Sequence, residues 1–99
     1  MLTIIPLFFF LNTAYAGPDC SRTKNNVEKI LCFSTRAINS QEKMAYAFRL
    51  ALRRGVSPEL LRETQEKWKK ETRDKCSTVD CIVEAHKIRE FDIYELPGK

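Results

Sequence analysis

The residues equipped for chemistry in this chain are four cysteines, Cys20, Cys32, Cys76 and Cys81, and a single histidine, His86. A zinc site would want thiolates at tight paired spacing, typically Cys-x-x-Cys, and these cysteines do not have it. An even cysteine count in a small chain reads instead as two disulfides, and so as an oxidising compartment. With both bridges formed, no thiol is left to pair with His86 as a nucleophile, and no convincing Ser-His arrangement stands in its place. Glu59 and Glu63 lie one helical turn apart. They sit in a field of lysines on an expected solvent face, in a bundle too thin for a glycan cleft. The expectation is a non-enzyme with no metal and no cofactor.

The compartment has a second indicator. Residues Met1 to Leu11 are mostly apolar, too few to span a bilayer, and are followed by Ala14-Tyr15-Ala16, a small-x-small cleavage pattern. The reading is a signal peptide over 1–16, cleaved after Ala16, and one domain over 17–99 in the periplasm or secreted, with no transmembrane segment in the mature form. Every Lys, Arg, Asp and Glu falls after residue 16, so the domain keeps the net charge of +4. That balance favours anionic neighbours such as membrane surface, wall polymer or an acidic protein. No basic block is interleaved with stacking aromatics, so nucleic acid is not an expected partner.

The elements that must position these residues are helical. No segment alternates with period two for long, whereas helix punctuation is dense. Asn25 with Glu28 opens a short helix through Val27, Ile30 and Leu31 to Cys32. Ser34 or Thr35 starts a second, with Ala37, Ile38, Met44, Ala45, Phe48, Ala51 and Leu52 on one stripe and a stop at Gly55. Ser57-Pro58 caps a third, carrying Leu60, Leu61, Thr64 and Trp68 and running to about Lys75. Its exposed face places Glu63, Glu66 and Glu71 four residues before Lys67, Lys70 and Lys75, the helix-supporting order. Ser77 with Asp80 opens a fourth, with Val79, Ile82, Val83, His86 and Ile93, ending at Pro97-Gly98.

The fold expected is all-α, a disulfide-stapled antiparallel bundle of three to four helices. Short connections fold helix three back on helix two and helix four back on helix three. The open end of that hairpin brings Cys32, before helix two, beside Cys76, expected to close helix three. Cys32–Cys76 with Cys20–Cys81 is the pairing this suggests, each bridge with a ceiling of roughly 4 kcal/mol in the chain-entropy model. The crossed pairing, Cys20–Cys76 with Cys32–Cys81, stays open because Cys76 and Cys81 are close in sequence.

In order along the chain stand Asp19-Cys20, Glu28-Lys29-Ile30-Leu31-Cys32, Gln65-Glu66-Lys67-Trp68, Arg73-Asp74-Lys75-Cys76, Cys81-Ile82 and His86-Lys87-Ile88-Arg89. This series resembles the family of small exported bacterial four-cysteine helical domains typified by LprI-type lysozyme inhibitors, and it covers almost all of 17–99. The resemblance implies a bacterial envelope protein that acts by binding. Its expected partner is a protein, a lysozyme-like hydrolase or, in a close variant, a secreted antibacterial toxin against which it confers immunity. Where the family tends to carry an aspartate and two tyrosines, this chain has Gln41, Phe48 and His86.

Individual side chains have structural readings beside functional ones. Trp68 is expected as a core anchor, although tryptophan is also enriched at binding hot spots. His86, on an apolar stripe, is expected as a partly buried histidine with a satisfied ring, beside the alternative of a titrating switch or ligand. Gln65, Arg73 and Arg89 are candidates for a polar cluster bracing helix three against helix four, or for presentation to a partner. Arg49, Arg53 and Arg54 with Lys69 and Lys70 form a candidate basic patch.

Overall fold

A computed structural model describes residues 20–99, so the expected signal peptide lies outside the described residues. Four helices follow: α1 (Asn26–Phe33), α2 (Thr35–Arg53), α3 (Pro58–Glu71) and α4 (Val79–Tyr94). Short 3-10 turns at Cys20–Arg22 and Arg73–Lys75 precede α1 and α4. Among the described residues there is no strand, and the fold is the all-α, disulfide-stapled bundle expected.

Caps set the boundaries. Asn25 accepts from the Glu28 amide at 2.9 Å, and Glu28 Oε1 accepts in return from the Lys24 amide at 3.1 Å. Ser34 serves two helices: its amide donates to Ile30 O at 2.9 Å, and its Oγ accepts from the Ala37 amide at 3.2 Å. Ser57 caps α3, with Pro58 in its first turn. Gly55 ends the α2 corner at φ +88°, and a Cβ there would come within 3.0 Å of Lys99 Cβ. The cap of α4 is Thr78, not Ser77, accepting from the Cys81 amide at 3.1 Å.

Helix α2 makes its closest backbone approach to α4. Ala37, Ala47 and Ala51 are fully buried on α2. Such small side chains allow a short interaxial distance. Cross-links rise in register along both helices, from Arg36–Asp80 through Ser40–His86 to Arg54–Ile93, so the two run parallel. Helix α3 lies antiparallel to both and meets them through longer side chains, Gln65 with Met44 of α2 and Trp68 with His86 of α4. The core is closed by Leu61, Ile82 and Ile93, with Val27 from α1 and Val56 from the corner.

The disulfide pairing differs from the one expected. The bridges are Cys20–Cys32 and Cys76–Cys81, with Cα atoms 5.8 and 5.5 Å apart, and neither Cys32–Cys76 nor Cys20–Cys81 forms. The cause lies in where α3 stops. It ends at Glu71 rather than near Lys75, Thr72 leaves the helical region at φ −124°, and a 3-10 turn follows. Cys76 therefore sits in the reversal leading into α4, where the next turn of chain delivers Cys81. At the other end, the turn at Cys20–Arg22 folds back onto the last turn of α1. Each bridge staples one local turn, and the α2–α3–α4 assembly is held by packing and hydrogen bonds.

Candidate functional site

A groove of about 410 Å³ runs between α2 and α4. Arg36, Asn39 and Lys43 line one wall; Val83, Lys87 and Phe91 line the other. These positions recur at helical spacing, so each wall is one helix face. Lys43 lies on one wall and Lys87 on the other, and Arg36 is held at the groove's end by Asp80 at 2.9 Å. Among the described residues, Glu90 is the one acidic side chain that lines the groove. Phe91 is 57% exposed, so one apolar ring stands at the surface beside the two lysines.

Ser40 also lines this groove and ties it to the interior. Its hydroxyl donates to Ala37 O at 2.8 Å, so its oxygen accepts from His86 Nδ1–H at 2.7 Å. That assigns the proton to Nδ1 and leaves Nε2 an acceptor. His86 is 0% exposed, and among the described residues its Nε2 and the Trp68 Nε1–H are the buried side-chain nitrogens without a hydrogen-bond partner. The two rings are 5.6 Å apart. Burial in this apolar setting, and secondarily the nearby Arg73 guanidinium, lower the His86 pKa to about 4. The ring is therefore neutral at physiological pH.

Beneath it lies Arg89, 5% exposed. Its Nε donates to Gln65 Oε1 and its Nη2 to Thr64 Oγ1, both at 2.8 Å, while Thr64 donates to Leu60 O at 2.8 Å. The guanidinium is held by neutral acceptors, and burial lowers its pKa, with Asp92 opposing. The pairing of Gln65 with Arg89 makes the brace between α3 and α4 that the sequence suggested. Arg73 stands outside it, bound to Asp74 of its own turn at 2.9 Å. Trp68 is in the core, as expected, at 9% exposure.

The candidate basic patch does not come together. Arg54 turns its guanidinium to the carbonyl of Leu96 at 2.8 Å, at the end of α4. Arg49 lies over the Tyr46 ring, and Lys69 pairs with Glu66 at 3.1 Å. Lys69 and Lys70 stand at the opposite end of α3 from Arg53 and Arg54, about 20 Å along a helix of this length. The cations that share a groove, Lys43 and Lys87, are not legible in the sequence, because their placement on facing walls depends on the α2–α4 register. Gln41 and Phe48 line a second, smaller depression between α2 and α3, beside Gln65.

All four cysteines are in disulfides, and among the described residues no three His, Cys, Asp or Glu side chains gather as a metal site. Among them, too, no helix is long and apolar enough to cross a membrane. The comparisons find no matching family model, no matching curated protein and no matching solved structure.

Proposed function

We propose that this chain is an exported binding protein that inhibits a cell-wall-degrading enzyme of the lysozyme class, without catalysis of its own. The observation that carries the reading is the α2/α4 groove, where two lysines and an exposed aromatic share one surface. Cationic and aromatic groups on rigid helices suit an acidic partner, since little ordering cost accompanies binding. The sequence resemblance to LprI-type inhibitors supports the same reading, and two disulfides fit a protein working in an oxidising compartment. Long-range charge selects among targets: a domain of net charge +4 associates slowly with a strongly basic lysozyme and faster with a less basic hydrolase.

The test is inhibition of peptidoglycan clearing by a panel of wall hydrolases of differing net charge. A one-to-one complex with at least one of them should persist at about 150 mM salt, where surface charges are screened beyond ~8 Å. No inhibition across the panel, with salt-sensitive sedimentation on wall polymer or anionic lipid instead, assigns the chain to an accessory role in the envelope. Neutralisation of a secreted antibacterial toxin, rather than of a hydrolase, assigns it to immunity.

A further inference from the structure

We propose that the α2/α4 groove is a docking site for a projecting acidic loop of a protein partner, with carboxylates on Lys43 and Lys87 and an apolar side chain against Phe91. The inference rests on the binding reading above and names the surface and the chemistry of what it holds.

Three features select a protein loop over a polyanion. The walls run from Arg36 to Lys43 and from Val83 to Phe91, about 10–12 Å at the helical rise, the length of three or four extended residues. The lining is mixed in charge: Glu90 sits between Lys87 and Phe91, where a uniform row of phosphates would meet repulsion and a polypeptide can offer a donor. Asn39 supplies both a donor and an acceptor, which suits a peptide backbone. Phe91 adds an apolar contact that a phosphate polymer does not use. The groove's floor is also fixed in advance. Ser40 is bound on one side to Ala37 O and on the other to buried His86, so the separation of the walls is set before a partner arrives.

The experiment titrates the isotope-labelled, disulfide-intact protein with a capped Glu-Leu-Asp-Glu peptide and with its Gln-Leu-Asn-Gln counterpart, read by amide shifts. The acidic peptide should give saturable shifts confined to the neighbourhood of Lys43, Lys87 and Phe91, with a Kd in the roughly millimolar range expected of so small a contact. The neutral peptide should give none. The Lys43→Ala/Lys87→Ala protein should bind roughly tenfold more weakly or worse, and Phe91→Ala should weaken binding with no change in its salt dependence. All three positions are at the surface, so circular dichroism should show each variant folded. Absence of saturable shifts, or shifts centred elsewhere, overturns the proposal. So does tighter binding to phosphatidylglycerol vesicles that the double variant abolishes, which gives the groove to a lipid surface. Failure of the two readings is distinguishable: peptide in the groove with no hydrolase inhibited removes the inhibitor reading alone, and inhibition undiminished in the double variant removes the docking site alone.

Discussion

Ser40 and His86, 46 residues apart in sequence, join α2 to α4 through a single hydrogen bond of 2.7 Å, and Ser40 is at once a wall of the groove and the ring's acceptor. Removing the hydroxyl leaves a buried N–H with nothing to bind. Ser40→Ala should cost about 1–3 kcal/mol, the penalty for an orphaned buried donor. In a domain of this size that is a fall in Tm of roughly 5–15 °C. The same change in a His86→Phe background should cost much less, because no donor is then stranded. Thermal melts of the four proteins check it, and equal costs in both backgrounds would show that the bond contributes nothing.

The neutral His86 makes stability depend on pH. Its folded pKa of about 4 lies below the ordinary 6.5, so between those values the unfolded chain binds the proton and the native one does not. Stability therefore falls as pH drops from 6.5 towards 4, by on the order of 3 kcal/mol in all, and the loss is complete below the folded pKa. The groups around the ring give no relief: Ser40 and Trp68 are neutral, and Arg73 is a cation. Urea unfolding at several pH values should show this slope in the wild type. His86→Asn, whose amide can replace the Nδ1 donor, should lose most of it. A His86→Asn slope equal to the wild type's assigns the dependence to carboxylates instead.

What the sequence revealed of this arrangement follows from the range of the interactions. Asn25, Gly55 and Ser57-Pro58 mark helix ends through contacts three or four residues away, and such signals survive in any context. Thr78 was missed beside Ser77 because both residue types cap, and only the backbone decides between them. Gln65 with Arg89 was legible as a donor and acceptor on neighbouring helices. Thr64 as a further acceptor for Arg89, and Ser40 as the acceptor for His86, are not legible in the same way, since a hydroxyl inside a helix more often bonds its own carbonyls. The pairing of Lys43 with Lys87 across a groove needed the parallel α2–α4 register, set by buried alanines rather than by any motif.

The disulfide topology has a direct chemical check. Cleavage after Lys75 and Lys87 excises residues 76–87 with both Cys76 and Cys81 inside. The non-reduced peptide should appear alone, two hydrogens lighter than its reduced form. Linkage to the peptide holding Cys32 would restore the hairpin clamp. Because the loops are short, the chain-entropy ceilings are about 3 kcal/mol for Cys20–Cys32 and about 2 kcal/mol for Cys76–Cys81. Replacing Cys20 and Cys32 by serine should accordingly loosen α1, with hydrogen exchange rising there first. The protection of Ile82 and Ile93 in the α2–α4 core should persist.

Arg54 fixes the far end of the same helix pair. Its Nη2 reaches the carbonyls of Ile93, Tyr94 and Leu96 at 3.3, 3.4 and 2.8 Å, while its own carbonyl accepts from the Lys99 amide at 2.9 Å. The last carbonyls of a helix lack intrahelical donors and carry the negative end of its dipole, so a cation placed there answers both needs. Because the side chain is exposed, solvent screens much of the gain, and Arg54→Ala should cost only about 1 kcal/mol. The effect should be local: faster amide exchange at Leu96 and Lys99, with His86 and its neighbours unchanged. Arg54→Lys should recover most of the protection, since all three contacts come from one nitrogen, Nη2, and an ammonium offers three donors from one nitrogen. Gly98 sharpens the test, because a Cβ there would stand 2.5 Å from the Arg54 carbonyl. Gly98→Ala should release the same segment with the guanidinium intact, and exchange left unchanged by both substitutions would mean that the tail does not hold the end of α4.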